Sequence, residues 1–151
     1  MNKVFNTPFE AGLRILLILY AVNNRQISIT RIVSYDFIST YGRNFGLTEK
    51  NLHGSNPFSF SEFSSRRELC TQEVKLFVLR GLIKPNLTAN GFLYSLTAEG
   101  KEYVNTLNSD YKNQYLDAVK HVINKYGRLS DEKLNRELSD YAVNSLGGSN
   151  E

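Results

Sequence analysis

The predicted fold class is mainly α: a winged helix-turn-helix with a small β-hairpin wing and two additional C-terminal helices. Three amphipathic helical segments are followed by two β-prone runs around Asn90-Gly91, a dipeptide that favours hairpin turns. Another capped helix and two more helical segments complete the chain. We therefore expect a winged-helix domain over residues 1–107, a C-terminal helical extension over 108–146 and a flexible tail over 147–151.

Capping signals and apolar spacing define the first two helices. Thr7-Pro8-Phe9-Glu10 places threonine at the N-cap and proline at the first helical position, which predicts a helix from there to about Asn24. Ser28 is expected to cap a second helix that ends near Tyr41-Gly42. Asp36 lies on the apolar face of this second helix, so it is a candidate buried charge.

A long polar connection precedes the third helix. Residues 43–61 are rich in Gly, Asn, Ser and Thr, and inserted loops of this length are often functional. Two capping boxes compete for the helix start, Ser59-Phe60-Ser61-Glu62 and Ser65-Arg66-Arg67-Glu68, and the sequence leaves the choice open. The helix is expected to end at Arg80-Gly81. Because it is apolar on two sides, it is predicted either to lie between neighbours or to meet a partner.

Turn and cap signals define the remaining elements. A hairpin is expected from Leu82–Pro85 and Phe92–Leu96, with the polar segment 86–91 as its turn. Each of the three helices that follow begins after a Ser or Thr that can accept a hydrogen bond from the first turn. These caps and the approximate helix ends are Thr97 to Leu107, Ser109 to Tyr126, and Ser130 to Val143.

Composition excludes several functional classes. The 151-residue chain has 1 Cys and 2 His, too few for an internal disulfide or for a structural zinc site of four Cys and His ligands. No apolar run approaches the roughly 20 residues of a membrane span, and no export signal is recognisable. We therefore expect a cytoplasmic protein with no metal or cofactor.

Catalytic motifs are not apparent, so the chain is predicted not to be an enzyme. His53, in Asn51-Leu52-His53-Gly54, is the one candidate general base, but a lone loop histidine more often orders its loop by a hydrogen bond. Hydrolase motifs, paired carboxylates and Gly-rich phosphate loops are not found. Asn51 and His53 are therefore candidate loop-ordering or partner-interface residues.

The net positive charge lies in the N-terminal part of the chain. Residues 1–84 carry 11 Lys and Arg against 6 Asp and Glu, whereas residues 85–151 carry 7 against 9. The predicted wing turn, 86–91, has no Lys or Arg, although proteins that read DNA cluster positive charge on one face. Any contact with double-stranded DNA is therefore expected to be independent of its sequence. The candidate phosphate contacts are Arg43, Lys50 and Arg66.

One buried ion pair is predicted between the second and third helices. On a helical wheel Arg67 falls about 40° from Phe63, inside the apolar stripe of the third helix. A buried charge requires a partner, and Asp36 is the other charge on an apolar face. We predict that Arg67 pairs with Asp36. Together with Arg66 and Glu68, Arg67 is also a candidate partner-interface residue.

Several segments of the chain resemble corresponding segments of one known family. The chain is similar to the middle component of bacterial ABC-three-component systems over about residues 2–107, and its C-terminal helices resemble that family only in general character. The segments that carry the resemblance are Phe5-Asn6-Thr7-Pro8-Phe9-Glu10, Leu13-Arg14-Ile15-Leu16, Asp36-Phe37, Tyr41-Gly42, Phe45-Gly46, Asn51-Leu52-His53-Gly54, Ser65-Arg66-Arg67-Glu68 and Gly91-Phe92-Leu93-Tyr94.

The resemblance implies a role in bacterial conflict. Such systems, to which the Lamassu defence systems are related, combine a winged-helix-like middle protein with an SMC-like ABC ATPase and a separate effector, often a nuclease. The chain would then be a non-enzymatic adaptor in an anti-phage complex. It would bind near the ATPase heads or hold the effector inactive until foreign DNA is sensed.

A second function stays open from the sequence. The winged helix-turn-helix also serves DNA-binding transcriptional regulators, which bind as two-fold dimers with steeply salt-dependent affinity. In that case Arg66→Ala should weaken DNA binding. An enzymatic function would depend on His53 alone.

Overall fold

The computed structural model describes residues 8–52 and 63–148. These residues form six α-helices, one short 3₁₀ helix and one two-stranded antiparallel sheet. The prediction of a mainly helical protein with a small hairpin is confirmed. The elements are α1 (Pro8–Val22), α2 (Ile29–Thr40), the 3₁₀ helix (Gly42–Phe45), α3 (Phe63–Leu79), β1 (Ile83–Thr88), β2 (Gly91–Leu96), α4 (Ala98–Thr106), α5 (Asp110–Tyr126) and α6 (Asp131–Gly148).

Hydroxyl caps start four of the helices at the predicted positions. The Oγ of Ser28, for example, accepts a hydrogen bond of 3.1 Å from the backbone N–H of Arg31. A cap of this kind contributes about 1 kcal/mol to helix stability. The helices that begin this way are α2, α4, α5 and α6, after Ser28, Thr97, Ser109 and Ser130.

α1 lies at the centre of the molecule. Residues 15–19 are all buried because α2, α3, α4 and α5 pack against this helix. A helix that is apolar on all sides is stable only when it is enclosed in this way. The helix ends at Val22, two residues before the predicted end, since Asn23 adopts a left-handed φ of 61° that asparagine tolerates.

The hairpin is longer than predicted and has a shorter turn. Thr88 pairs with Gly91 across the strands, so the turn is Ala89-Asn90 rather than the segment 86–91. Gly91 has a φ of 105°, which residues with a side chain rarely adopt. Ile27, between α1 and α2, adds a bridge to the free edge of β2: its N–H donates to the Tyr94 carbonyl at 3.1 Å, and the Tyr94 N–H donates back at 2.8 Å.

The C-terminal helices share the hydrophobic core of the rest of the chain. α5 packs against α1 and α2, and α6 packs against α2. α6 continues to Gly148, so residues 147 and 148, predicted to belong to a flexible tail, are helical. Residues 149–151 lie outside the described residues. Within 8–52 and 63–148, no helix is both long enough and apolar enough to cross a lipid bilayer.

The connection before α3 is only partly described. Its first residues form the 3₁₀ helix, and the ring of Phe45 is buried and stacks on Tyr141 of α6 with 4.3 Å between centroids. α3 begins at Phe63, so Ser65 lies inside its first turn. The competing start at Ser59 lies outside the described residues.

Candidate functional site

Asp36 is a buried carboxylate that joins four helices. It is 1 % exposed. Arg14 of α1 donates from Nε to its Oδ1 at 2.8 Å and from Nη2 to its Oδ2 at 3.3 Å. Arg66 of α3 donates from Nη1 to Oδ2 at 3.1 Å, and the hydroxyl of Tyr115 on α5 donates to Oδ1. Arg66 Nη1 also donates to Thr40 Oγ1 at 2.8 Å. We call Arg14, Asp36, Arg66 and Tyr115 the ionic core.

Burial and the neighbouring charges shift the pKa values of three groups in the ionic core. Burial alone would raise the pKa of Asp36, but the guanidinium groups of Arg14 and Arg66 outweigh burial and hold this pKa well below its usual range. The pKa of Arg14 is raised because the neighbouring Asp36 carboxylate outweighs the opposing effect of burial. Burial and the Asp36 carboxylate both raise the pKa of Tyr115. Arg14 and Asp36 therefore stay charged, and Tyr115 stays neutral, at neutral pH.

The stability contributed by Asp36 should depend on pH. Folding lowers its pKa, so its contribution is present above the ordinary value of 3.8 and is lost as pH falls toward the folded value. Comparison with Asp36→Asn separates this carboxylate from the others. We expect the difference in free energy of unfolding between the wild type and Asp36→Asn to be constant from about pH 7 to about pH 5 and to shrink below about pH 4. Urea denaturation across this range measures the difference, and a constant difference down to about pH 3 would contradict the pairing.

The predicted pair between Asp36 and Arg67 is wrong in its cation. The buried stripe of α3 contains Cys70, and Arg66 lies on that stripe one turn earlier. Arg67 lies about 100° further around the helix. Its side chain is exposed and donates from Nη1 to Thr30 Oγ1 at 3.1 Å. On a helical wheel Arg67 lies about 40° and Arg66 about 60° from Phe63, so the spacing favoured Arg67 by only a small margin.

Arg66 was also predicted to contact DNA phosphates and a partner, but its burial argues against both roles. Only 4 % of this residue is exposed, and its guanidinium lies over the rings of Phe37 and Tyr41. A phosphate or a partner cannot reach it without opening the core.

Sequence reasoning missed Arg14 and Tyr115 as partners of Asp36. The signal for Arg14 was present, because it is the one charged residue between Ala11 and Val22 in an otherwise apolar helix. A charge in such a helix must find a counter-ion in the core. Tyr115 gave no comparable signal, since tyrosine is common on half-buried helix faces.

The other predicted residues lie at the surface or outside the described residues. Asn51 holds the segment after the 3₁₀ helix: its Oδ1 accepts from the Arg43 N–H at 2.9 Å, and its Nδ2 donates to Asn44 Oδ1 at 3.0 Å. Lys50 and Glu68 are exposed, as is Arg43. His53 lies outside the described residues.

A second ion pair joins α2 to the first residue of α6. The Nε of Arg31 donates to Asp131 Oδ1 at 2.7 Å, and its other nitrogens donate to the Tyr35 hydroxyl and to the carbonyls of Tyr126 and Leu129. Arg31 thereby fixes the start of α6 against α2.

Asp131→Ala should destabilise the protein by about 1–3 kcal/mol, because the largely buried Arg31 loses its counter-ion and α6 loses an acidic residue in its first turn. Chemical denaturation measures the change. Asp117→Ala is a matched control, since Asp117 is exposed and only approaches His121 at 3.6 Å. Equal effects of the two substitutions would contradict the proposed contribution of Arg31 and Asp131.

An exposed apolar groove lies between α3 and the hairpin. It has a volume of about 440 Å³, and Lys75 is the one charged residue among the described residues that line it. At its rim, Leu79 is 85 % exposed and Phe92 is 51 % exposed. We call this surface the α3–hairpin groove. It is lined by Val74, Lys75, Val78, Leu79, Pro85, Phe92 and Tyr94.

Strand alternation explains why the hairpin contributes an apolar wall. Side chains two residues apart share a face of a strand, and the register places apolar residues opposite one another on that face. The pair at the base, Ile83 and Leu96, is buried, whereas at the tip Leu87 is 69 % exposed opposite Phe92. Within residues 8–52 and 63–148, the rest of the fold therefore covers the base of this apolar face and leaves its tip exposed.

Together these residues define a small helical domain with a hairpin, in which the central ionic groups stabilise the core and the groove at the surface is apolar. The chain belongs to the ABC-three component (ABC-3C) system Middle Component 2 family, whose model matches residues 4–147. The resemblance predicted from the sequence motifs is confirmed, and the match extends through the C-terminal helices. No curated protein and no solved structure gave a significant match. Membership of a multi-component system implies other subunits of that system as partners.

Proposed function

We propose that this chain is a non-enzymatic winged-helix adaptor of its ABC-three-component system. It links an SMC-like ABC ATPase to an effector subunit, expected to be a nuclease, in a cytoplasmic anti-phage complex. Family membership supports a role as one subunit among several. The single structural observation that carries the adaptor role is the α3–hairpin groove, an exposed apolar surface suited to a protein partner.

The order of elements supports the winged-helix assignment. α1, α2, α3, β1 and β2 follow one another as in that fold. Ile27, between α1 and α2, forms a bridge to β2. Many winged helices have a short first strand at the position that Ile27 occupies. By this correspondence α3 is the recognition helix and the hairpin is the wing.

The recognition helix and wing are better suited to a protein than to DNA. DNA interfaces are polar and strongly positive, whereas α3 and the hairpin expose the apolar side chains of Leu79, Leu87 and Phe92. We assign the groove to an apolar segment of the ATPase subunit. Lys75, at the groove wall, favours a partner that brings a carboxylate next to its apolar residues.

Burial of Arg66 counts against the alternative, a DNA-binding transcriptional regulator. In a regulator Arg66 would be expected to contact DNA, but its side chain is buried and donates to Asp36. Arg66→Ala would therefore disrupt the core and would not report on DNA binding. The exposed Arg43 and Lys50 remain candidate contacts for non-specific binding of DNA phosphates.

Reconstitution tests the adaptor role. The ATPase and effector subunits of the same system are co-expressed with and without this chain, and the complexes are separated by size-exclusion chromatography. We expect the effector to co-elute with the ATPase only when the chain is present. Equal co-elution without the chain, or a chain that binds neither subunit at moderate salt, would contradict the proposal.

A further inference from the structure

A second cleft lies between two connections of the fold and shares no lining residue with the α3–hairpin groove. It has a volume of about 540 Å³ and lies between the α1–α2 connection and the α5–α6 connection. Arg25 comes from the first connection, Arg128 from the second and Arg31 from α2. We call it the arginine cleft.

The charges that line this cleft are all positive. No Asp or Glu is found among the described residues that line it. Arg31 is already neutralised by Asp131, and its nitrogens are held by the Tyr35 hydroxyl and by two backbone carbonyls. Arg31 is therefore a fixed wall of the cleft and not a group that is available to a ligand.

Arg25 and Arg128 supply the charge that a ligand can use. Both side chains are exposed. The Nη2 of Arg25 donates to the Gly127 carbonyl at 3.5 Å, which brings its guanidinium to the connection that carries Arg128. Two arginines from separate connections therefore border one opening.

We propose that the arginine cleft binds a phosphate ester through Arg25 and Arg128. Guanidinium groups match phosphate oxygens with paired hydrogen bonds, and two of them balance either one terminal phosphate monoester or two neighbouring phosphodiesters. The volume falls in the range of small-ligand sites. Apolar side chains also line it, Ile27 and Leu129 among them, which suits the organic part of an ester. The phosphate belongs either to a free nucleotide or to a nucleic-acid backbone.

Titration calorimetry of the full chain at low salt tests the proposal, with ATP, pyrophosphate and a short DNA duplex as separate probes. We expect saturable binding of at least one probe. Arg25→Ala with Arg128→Ala should weaken it by about tenfold or more, because the charge-assisted hydrogen bonds are lost. Arg80→Ala with Arg136→Ala removes the same charge from exposed positions elsewhere and should change the affinity by less than about twofold.

The probes distinguish the two sources of phosphate. Binding of ATP and pyrophosphate supports a nucleotide site, and binding of the duplex alone supports a backbone contact. The variant with Lys at both positions keeps the charge but not the planar fork, so its affinity should lie between that of the wild type and that of the double alanine variant. Binding of none of the probes, or equal weakening by the control pair, overturns the proposal. These residues lie outside the α3–hairpin groove, so either proposal can fail without the other.

Discussion

Asp36→Ala is expected to destabilise the protein by about 3–5 kcal/mol, since it leaves Arg14 and Arg66 in the core without the carboxylate that both contact. A domain of this size is stable by only about 5–15 kcal/mol, so the variant should be marginally folded. Urea denaturation followed by circular dichroism measures the loss. Asp117→Ala, at an exposed position on α5, should change stability by less than about 0.5 kcal/mol.

Two neighbouring arginines test which cation belongs to the ionic core. Arg66→Ala should cost several kcal/mol because Asp36 and Thr40 lose a donor. Arg67→Ala removes a single exposed bond to Thr30 and should cost about 0.5 kcal/mol or less. Equal losses for these two substitutions, or a larger loss for Arg67→Ala, would contradict the geometry of α3.

Introducing charge into the α3–hairpin groove should strongly weaken the proposed complex with the ATPase subunit. Leu79→Asp with Phe92→Asp places two carboxylates on an apolar interface, where unpaired charge is strongly unfavourable. We expect binding to weaken by about 30-fold or more, as at an interface hot spot. Co-purification with the tagged ATPase measures the loss.

The groove variant should leave the fold intact, because both side chains are largely exposed in the free chain. Gln114→Asp, on an exposed position of α5, is the control and should leave co-purification unchanged. A groove variant that folds normally and still co-purifies fully would show that the partner binds elsewhere.

Local signals in the sequence predicted the elements well. A hydroxyl cap acts within one turn of its own helix, so Ser28 and Thr97 could be recognised without knowledge of the tertiary structure. Asn90-Gly91 likewise indicated the hairpin, although the strands continue closer to the turn than expected. The helix ends were less accurate, since the positive φ of Asn23 and the packing of α6 do not follow from spacing alone.

Tertiary features were harder to predict. A rotation of about 100° per residue separates Arg66 from Arg67, so a small error in the direction of the α3 core stripe chose the wrong partner for Asp36. The exposure of Leu87 depends on how far the rest of the chain covers the apolar hairpin face, which no local pattern encodes. The apolar second side of α3 did indicate a partner or a neighbour, and Leu79 on that side is exposed.

Site-specific photocrosslinking from the groove tests the proposed docking most directly. A photoreactive amino acid is placed at Leu79 in one variant and at Gln114 in another, and each is assembled with the ATPase and effector subunits. Docking through the α3–hairpin groove predicts a crosslink to the ATPase subunit from position 79 and none from position 114. A crosslink to the ATPase from position 114 alone, or no crosslink from position 79 within an intact complex, would contradict it.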